Sequence, residues 1–320
     1  MAVEPSPSYP SPIFPPGRRI PGAATAVVGR AGDEAAAAGR GTAGREAESD
    51  ASWIRLLADA DPVWRRMPTA WHEAPFLGNA RLGSQAYAEP DANAVRFTVQ
   101  HGDVPDQRRE SGAPFGPVRL PVGHFTLAPS GTITAVDWRL RLRDAELTGT
   151  LSTDRGTLTL RALVHTSRPV LAVEVVPSDG ERAFRWRFRP AAASGPGPDP
   201  GAPPARIEEH TAARAAVQPL ADGGARVTAW RERADGYGAR TLYAAVVPAH
   251  PDRAARRRAL RVVRDTAAEP YDALAADHRS WWHAYFRRGL RSVADSRLQR
   301  RDGIQLYRAA FLPPPRDGLP

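Results

Sequence analysis

The chain has 320 residues, a formal net charge of +9, 42% hydrophobic residues and no cysteine. That length can bury a sizeable core in one large or two ordinary domains. The missing cysteine excludes disulfides and thiolate-bound zinc. All 44 basic residues are arginine, mostly interspersed with acids. Nucleic-acid binding needs arginine clustered on one face. The one dense run, Arg253 to Arg264, reads as a solvated helix face, so no nucleic-acid partner is expected.

Residues 1–50 are rich in Pro, then in Ala and Gly, with few large apolar side chains. Such a segment buries too little to offset its chain entropy, and a disordered leader is predicted. Arg18-Arg19 precedes a short, Gly-rich apolar stretch, so no clear signal peptide is read. Location is left open between cytoplasmic and secreted. No run reaches the ~18 apolar residues of a membrane span, and no membrane partner is expected. "SWIRLLADA" predicts a short helix capped by Ser52.

From Arg81 to about Val247 the apolar period is two. Val95, Phe97 and Val99 alternate with Arg96, Thr98 and Gln100. Val136, Trp138, Leu140 and Leu142 alternate with Asp137 and arginines, and Phe184, Trp186 and Phe188 with further arginines. One packed and one wet face is the habit of antiparallel sheets. A hairpin is predicted near Asp154 and Gly156, and "VLAVEVV" and "RTLYAAVVP" read as further strands. Roughly ten short strands predict a β-sandwich. Residues 190–205 read as a flexible loop. After His250 the period becomes helical over 252–264 and 271–288. A third segment near 296–310 is helical at both ends and interrupted by Gly303, and the prolines of "FLPPPRDGLP" stop any helix.

Chemistry is harder to find. No P-loop, nucleophile elbow or H-E-x-x-H is present. His278 and His283 are five apart, off a common helix face, so no metal or other cofactor is expected. Glycosidases need two carboxyl groups across the scissile bond. Glu73, Asp103, Asp106 and Glu110 are possible members, and turn formation or solvated charge explains them more simply. Trp138, Trp186 and Trp230 sit in alternating strands, which points to core packing rather than sugar stacking.

"WHEAPFLGNARLG", residues 71–83, carries a resemblance. Trp71, Glu73, Ala74, Leu77, Gly78, Asn79, Arg81, Leu82 and Gly83 match the start of the N-terminal domain of glycoside hydrolase family 95, the α-L-fucosidase-like enzymes. "PVGHFTL" and "VDWRLRLRDAELTGTL" also look like that domain. "HRSWWHAYFRRGLRSVADSRLQR" resembles its helical connector, and "IQLYRAA" the first helix of an (α/α)6 barrel. Ala80 replaces a usual Gly, "TVQHGDVPD" a Leu-Asn-Glu segment, and Arg301-Asp302-Gly303 stands where aromatics are usual. The resemblance spans about residues 64–310.

The resemblance implies a mainly β fold: an antiparallel super-sandwich over 51–250, a helical linker over 251–290, and a truncated first barrel helix and tail over 291–320. It implies that acid and base lie in the barrel, so no catalytic residue is carried over. The expected function is a non-catalytic sandwich module of an α-L-fucosidase-like glycoside hydrolase, with carbohydrate and a barrel, in cis or as a separate chain, as partners. A stand-alone carbohydrate-binding module and a small glycosidase with its site in the sandwich remain alternatives. Gly78 and Asn79 are expected to shape a turn. His72, Asn79 and Arg81 are the candidate sugar contacts. Trp281, Trp282, Tyr285 and Ile304 are expected to leave a large apolar patch needing a partner.

Overall fold

The computed structural model describes residues 52–101, 120–191, 205–211, 213–220, 224–249, 254–290 and 295–311. The leader, most of the 190–205 loop, the proline tail, and Asp103, Asp106 and Glu110 lie outside these residues.

The described chain is mainly β, with two antiparallel sheets and four helices. Helix α1 covers residues 52–60. Strands β1 (Val63–Trp64), β2 (Phe76–Gly78), β3 (Leu82–Ala88), β4 (Val95–His101), β5 (Leu120–Ala128), β6 (Ile133–Arg141) and β7 (Glu146–Thr153) follow. Then come β8 (Thr157–Val164), β9 (Val170–Pro177), β10 (Arg185–Pro190), β11 (Arg206–His210), β12 (Ala213–Leu220), β13 (Gly224–Gly236) and β14 (Ala239–Ala249). Helices α2 (Ala255–Thr266), α3 (Tyr271–Gly289) and α4 (Ser296–Ala309) close the order. A nine-stranded sheet runs β1-β6-β7-β8-β9-β14-β13-β12-β11, and a five-stranded sheet runs β10-β5-β4-β3-β2.

The two sheets share one apolar core in a sandwich-like arrangement. Phe125 of β5 and Phe188 of β10 meet Trp230 of β13, with ring centroids 5.7 Å and 5.0 Å away. Trp138, Trp186 and Trp230 are all buried, as the alternation of their strands requires. The centre of the large sheet is covered on both faces. Leu171, Val173 and Leu242 face the shared core, while Ala172, Tyr243 and Ala245 pack under Ala259 and Val263 of α2 and Leu274 of α3. This double burial is why β9 and β14 read as unbroken apolar runs. The hairpin at Asp154–Gly156 forms as predicted, with Thr153 N donating to Gly156 O at 2.8 Å.

Three expectations need correction. The strands number fourteen among the described residues, because β1, β2, β11, β12 and β13 carry weak or broken alternation. Gly303 does not interrupt α4. It packs against α1, where a Cβ would make only ordinary contacts, 3.5 Å from Leu57 and 3.6 Å from Ala60, and tertiary packing outweighs its poor helix propensity. The expected apolar patch on α3 is largely covered within the chain. Trp282 is buried, and Tyr285 and Ile304 pack against the core.

The terminal strands of both sheets are unlike their neighbours. β1 has two residues and β2 three. β11 carries Arg206, Glu208 and Glu209, and β10 alternates arginines and ends at Pro190.

Candidate functional site

The turn between β2 and β3 is built around Asn79, whose side chain is fully used. Its Oδ1 accepts from Arg81 N at 2.8 Å and Leu82 N at 2.7 Å. Its Nδ2 donates to His165 O at 2.6 Å and Arg168 O at 3.3 Å, tying the turn to the β8–β9 loop. Gly78 permits the close approach: a Cβ would meet Leu82 O at 3.1 Å and the Phe311 ring at 3.2 Å. The side chain of Asn79 is thus a scaffold, and Arg81, in the same turn, is exposed. His72 is exposed in a separate helical turn, with its ring edge-on to Trp71 and Nε2 4.0 Å from Glu73. The structure joins Asn79 and Arg81 and leaves His72 with its own neighbours. Asn79→Ala is expected to cost about 2–3 kcal/mol, since it removes a donor from the buried His165 carbonyl and the acceptor of two turn amides. Arg81→Ala should stay within ~0.5 kcal/mol. Thermal melts of both variants check this, and equal effects would refute the scaffold role.

Behind the turn lies a buried pair of histidines. His165 Nδ1 accepts from Ser167 N at 3.3 Å and Arg168 N at 3.2 Å, which makes Nδ1 the unprotonated nitrogen. Asp277 Oδ2 stands 3.2 Å from Nε2, not aligned for a hydrogen bond. The His278 ring is 5.9 Å from that of His165, and its Nε2 faces Ala145 O at 3.3 Å. Burial, with His165 alongside, pulls His278 down to about 3, against the opposing pull of the Ala145 and Asp144 backbone. Burial also lowers His165, over the opposition of Asp277. Both rings are neutral near pH 7.

The sequence left unseen a set of buried carboxylates, whose partners lie far away along the chain. Glu146 accepts from Tyr271 Oη at 2.7 Å and from Arg279 Nη2 at 2.5 Å. Asp144 pairs with His283 at 2.8 Å. Glu181 accepts from Ser130 N at 2.7 Å, Gly131 N at 2.9 Å and Thr153 Oγ1 at 2.5 Å. Glu89 is held by Arg96 at 2.7 and 2.9 Å, with His124 3.3 Å away. Burial alone would raise Glu89, but the Arg96 hydrogen bond and the His124 charge keep it below the usual carboxylate range. His124 in turn falls to about 4, through burial and the Arg96 charge.

Every buried carboxylate among the described residues therefore already has a donor. Glu73 is exposed on the surface. No group of three or more His, Asp or Glu side chains placed to hold a metal ion is found among the described residues. A shallow open groove of about 460 Å³, lined by Asp61, Asp137, Arg139 and Arg141, mixes charges of both signs. Its buried acid Asp61 accepts from Leu142 N at 2.8 Å. Among the described residues these buried carboxylates tie distant elements of the fold together.

No family model matches the chain, and no curated protein is similar to it in sequence. Among solved structures it is similar to a protein described as a kojibiose phosphorylase from the human microbiome, with a TM-score of 0.51 and 11% identity. The match covers 82% of this chain and 37% of that one, so the chain spans little more than a third of that protein's length. At such identity the likeness shows the fold alone: this chain is folded like part of that protein.

Proposed function

We propose that this chain is a non-catalytic β-sandwich module of a carbohydrate-directed enzyme of the glycoside hydrolase and phosphorylase kind. The observation that carries the reading is the full occupation of the buried carboxylates among the described residues. A glycosidase needs one carboxyl group free to protonate and one free to attack or to activate water, and Glu89, Asp144, Glu146 and Glu181 are each held by other side chains or backbone amides. The likeness in fold to a phosphorylase supports the enzyme class. The "WHEAPFLGNARLG" stretch favours the α-L-fucosidase-like enzymes of glycoside hydrolase family 95 within it. In that reading α4 is the first helix of an (α/α)6 barrel, supplied in cis or as a separate chain.

The test is turnover by the chain as it stands. With aryl α-L-fucosides and aryl α-D-glucosides, with and without inorganic phosphate, the expected result is no release above buffer. Release that Glu73→Gln abolishes would instead establish a small glycosidase within the sandwich.

A further inference from the structure

Helix α3 buries one face and leaves the other outside. Asp277, Trp281, Ala284 and Arg288 recur at steps of four, three and four residues, which places them along one line of an α-helix about 16 Å long. All four are exposed, as is Ser280 beside them. Trp281 is 42% exposed, unlike its neighbour Trp282 at 1%, and lies outside both core clusters. Its ring is nonetheless fixed. Tyr285 stacks on it with an 8° interplanar angle at 5.2 Å, and Trp282 meets it edge-on at 5.1 Å. Tyr285 is itself tied down, donating from Oη to Leu306 O at 3.0 Å. Ala284, one turn on, is too small to cover the free face.

Polar groups flank the ring on both sides. Asp277, one turn before Trp281, keeps 66% of its side chain exposed, with His165 Nε2 3.2 Å away. Arg288, two turns after, is anchored through Nε to Ala284 O at 3.2 Å, which leaves its terminal nitrogens for other partners. A rigid exposed ring, with an acceptor at one end and donors at the other, is suited to a ligand with an apolar face and a hydroxyl rim. The carboxylate favours hydroxyl donors and repels carboxylated sugars.

We propose that this stripe is a saccharide-binding platform, with Trp281 stacking against the apolar face of a neutral pyranoside and Asp277 and Arg288 bonding its hydroxyls. The platform rests on the carbohydrate-directed reading and gives it a site. It also moves the sugar contact away from Asn79, whose side chain has no capacity left.

The experiment is calorimetric titration of the full chain with methyl α-L-fucopyranoside, methyl α-D-glucopyranoside and maltose. At least one probe is expected to bind saturably, with the millimolar affinity typical of a shallow surface. Trp281→Ala should weaken it by about tenfold or more, Trp281→Phe by less, and Asp277→Asn by several-fold. The Trp281 variants should stay folded, with melting temperatures lowered far less than by Trp282→Ala, because the ring is outside the core clusters. No saturable binding by the wild type, or binding that survives Trp281→Ala, overturns the platform. Survival leaves the carbohydrate reading intact, whereas aryl-glycoside turnover by the chain removes the non-catalytic reading whatever the platform does. A dimer that Trp281→Ala makes monomeric, without sugar binding, assigns the stripe to a second copy and also overturns the proposal.

Discussion

Trp282→Ala is expected to cost about 3–5 kcal/mol, the largest effect of any single truncation near α3. The ring is 1% exposed and joins elements distant in sequence. It lies 5.6 Å from Phe286, 5.3 Å from Tyr307 and 5.9 Å from Phe311. Tyr307 in turn donates from Oη to Phe76 O at 2.6 Å, so this aromatic knot fastens α4 to β2. Alanine would leave a cavity bounded by rings on several elements, which cannot all move in to fill it. Urea unfolding measures the loss as a lower midpoint with an unchanged slope. Trp281→Ala is the internal comparison, one residue away, and should cost only about 1 kcal/mol through its two ring contacts. A midpoint shift worth less than ~1 kcal/mol for Trp282→Ala would show that α3 and α4 contribute little to the fold.

The second large effect is with acid. His278 falls to about 3 in the folded chain, from an ordinary value of 6.5, because burial disfavours its charged form. The unfolded chain therefore binds a proton more tightly than the folded one between those values. Linkage then fixes the sign: stability is full above about pH 6.5 and declines as pH falls towards 3. His278 alone should remove roughly 2 kcal/mol by pH 5. His124, lowered to about 4, and His165 push the same way. The groups facing the pair set the local charge. Asp277 and Glu269 favour protonation of His165, while Arg168 opposes it. Arg279 opposes protonation of His278. The lowered carboxylates Glu89 and Asp144 stabilise above their unfolded values of 4.5 and 3.8, and that contribution is lost only at lower pH. A decline between pH 6.5 and 5 thus belongs to the histidines. Urea melts across this range should show it, and His278→Gln should flatten it. Equal stability at pH 7 and pH 5 would contradict the buried, neutral state of these rings.

Much of this fold is legible locally. In β6 and β10 every second residue is aromatic or aliphatic and its neighbours are charged or polar, so the strand and its buried face follow from the pattern alone. Central strands such as β9 are legible from length and branched residues, though not which face meets which layer. The nine-to-five division of strands is not written in any one segment. It follows from pairing choices such as β14 with β9, made across more than sixty residues. Gly303 shows how a local rule misleads: a glycine that weakens an isolated helix is carried through by the packing of α4 on α1. The candidate site was readable at its turn, since Gly78-Asn79 announces permissive backbone. Its consequence was not, because the carbonyls that consume Asn79 are 86 and 89 residues away. The same distance problem hid Glu146, an unremarkable acid in a strand until α3 brings Tyr271 and Arg279 to it. The exposed Trp281 beside the buried Trp282 could have been separated by helical phase, as the two point about 100° apart.

The four terminal strands bear on how the protein behaves in a crowded solution. An open strand end offers a row of unpaired amides and carbonyls on which another chain can add, the usual beginning of fibrous aggregation. β1 and β2 are too short, at two and three residues, to template such growth. β11 would place an incoming strand against Arg206, Glu208 and Glu209, and β10 against alternating arginines and a proline that lacks the amide. Each terminal strand described is thus a poor template for recruitment. Sticking between copies should come mainly from side-chain surfaces rather than from shared backbone ladders, and should be reversible by dilution.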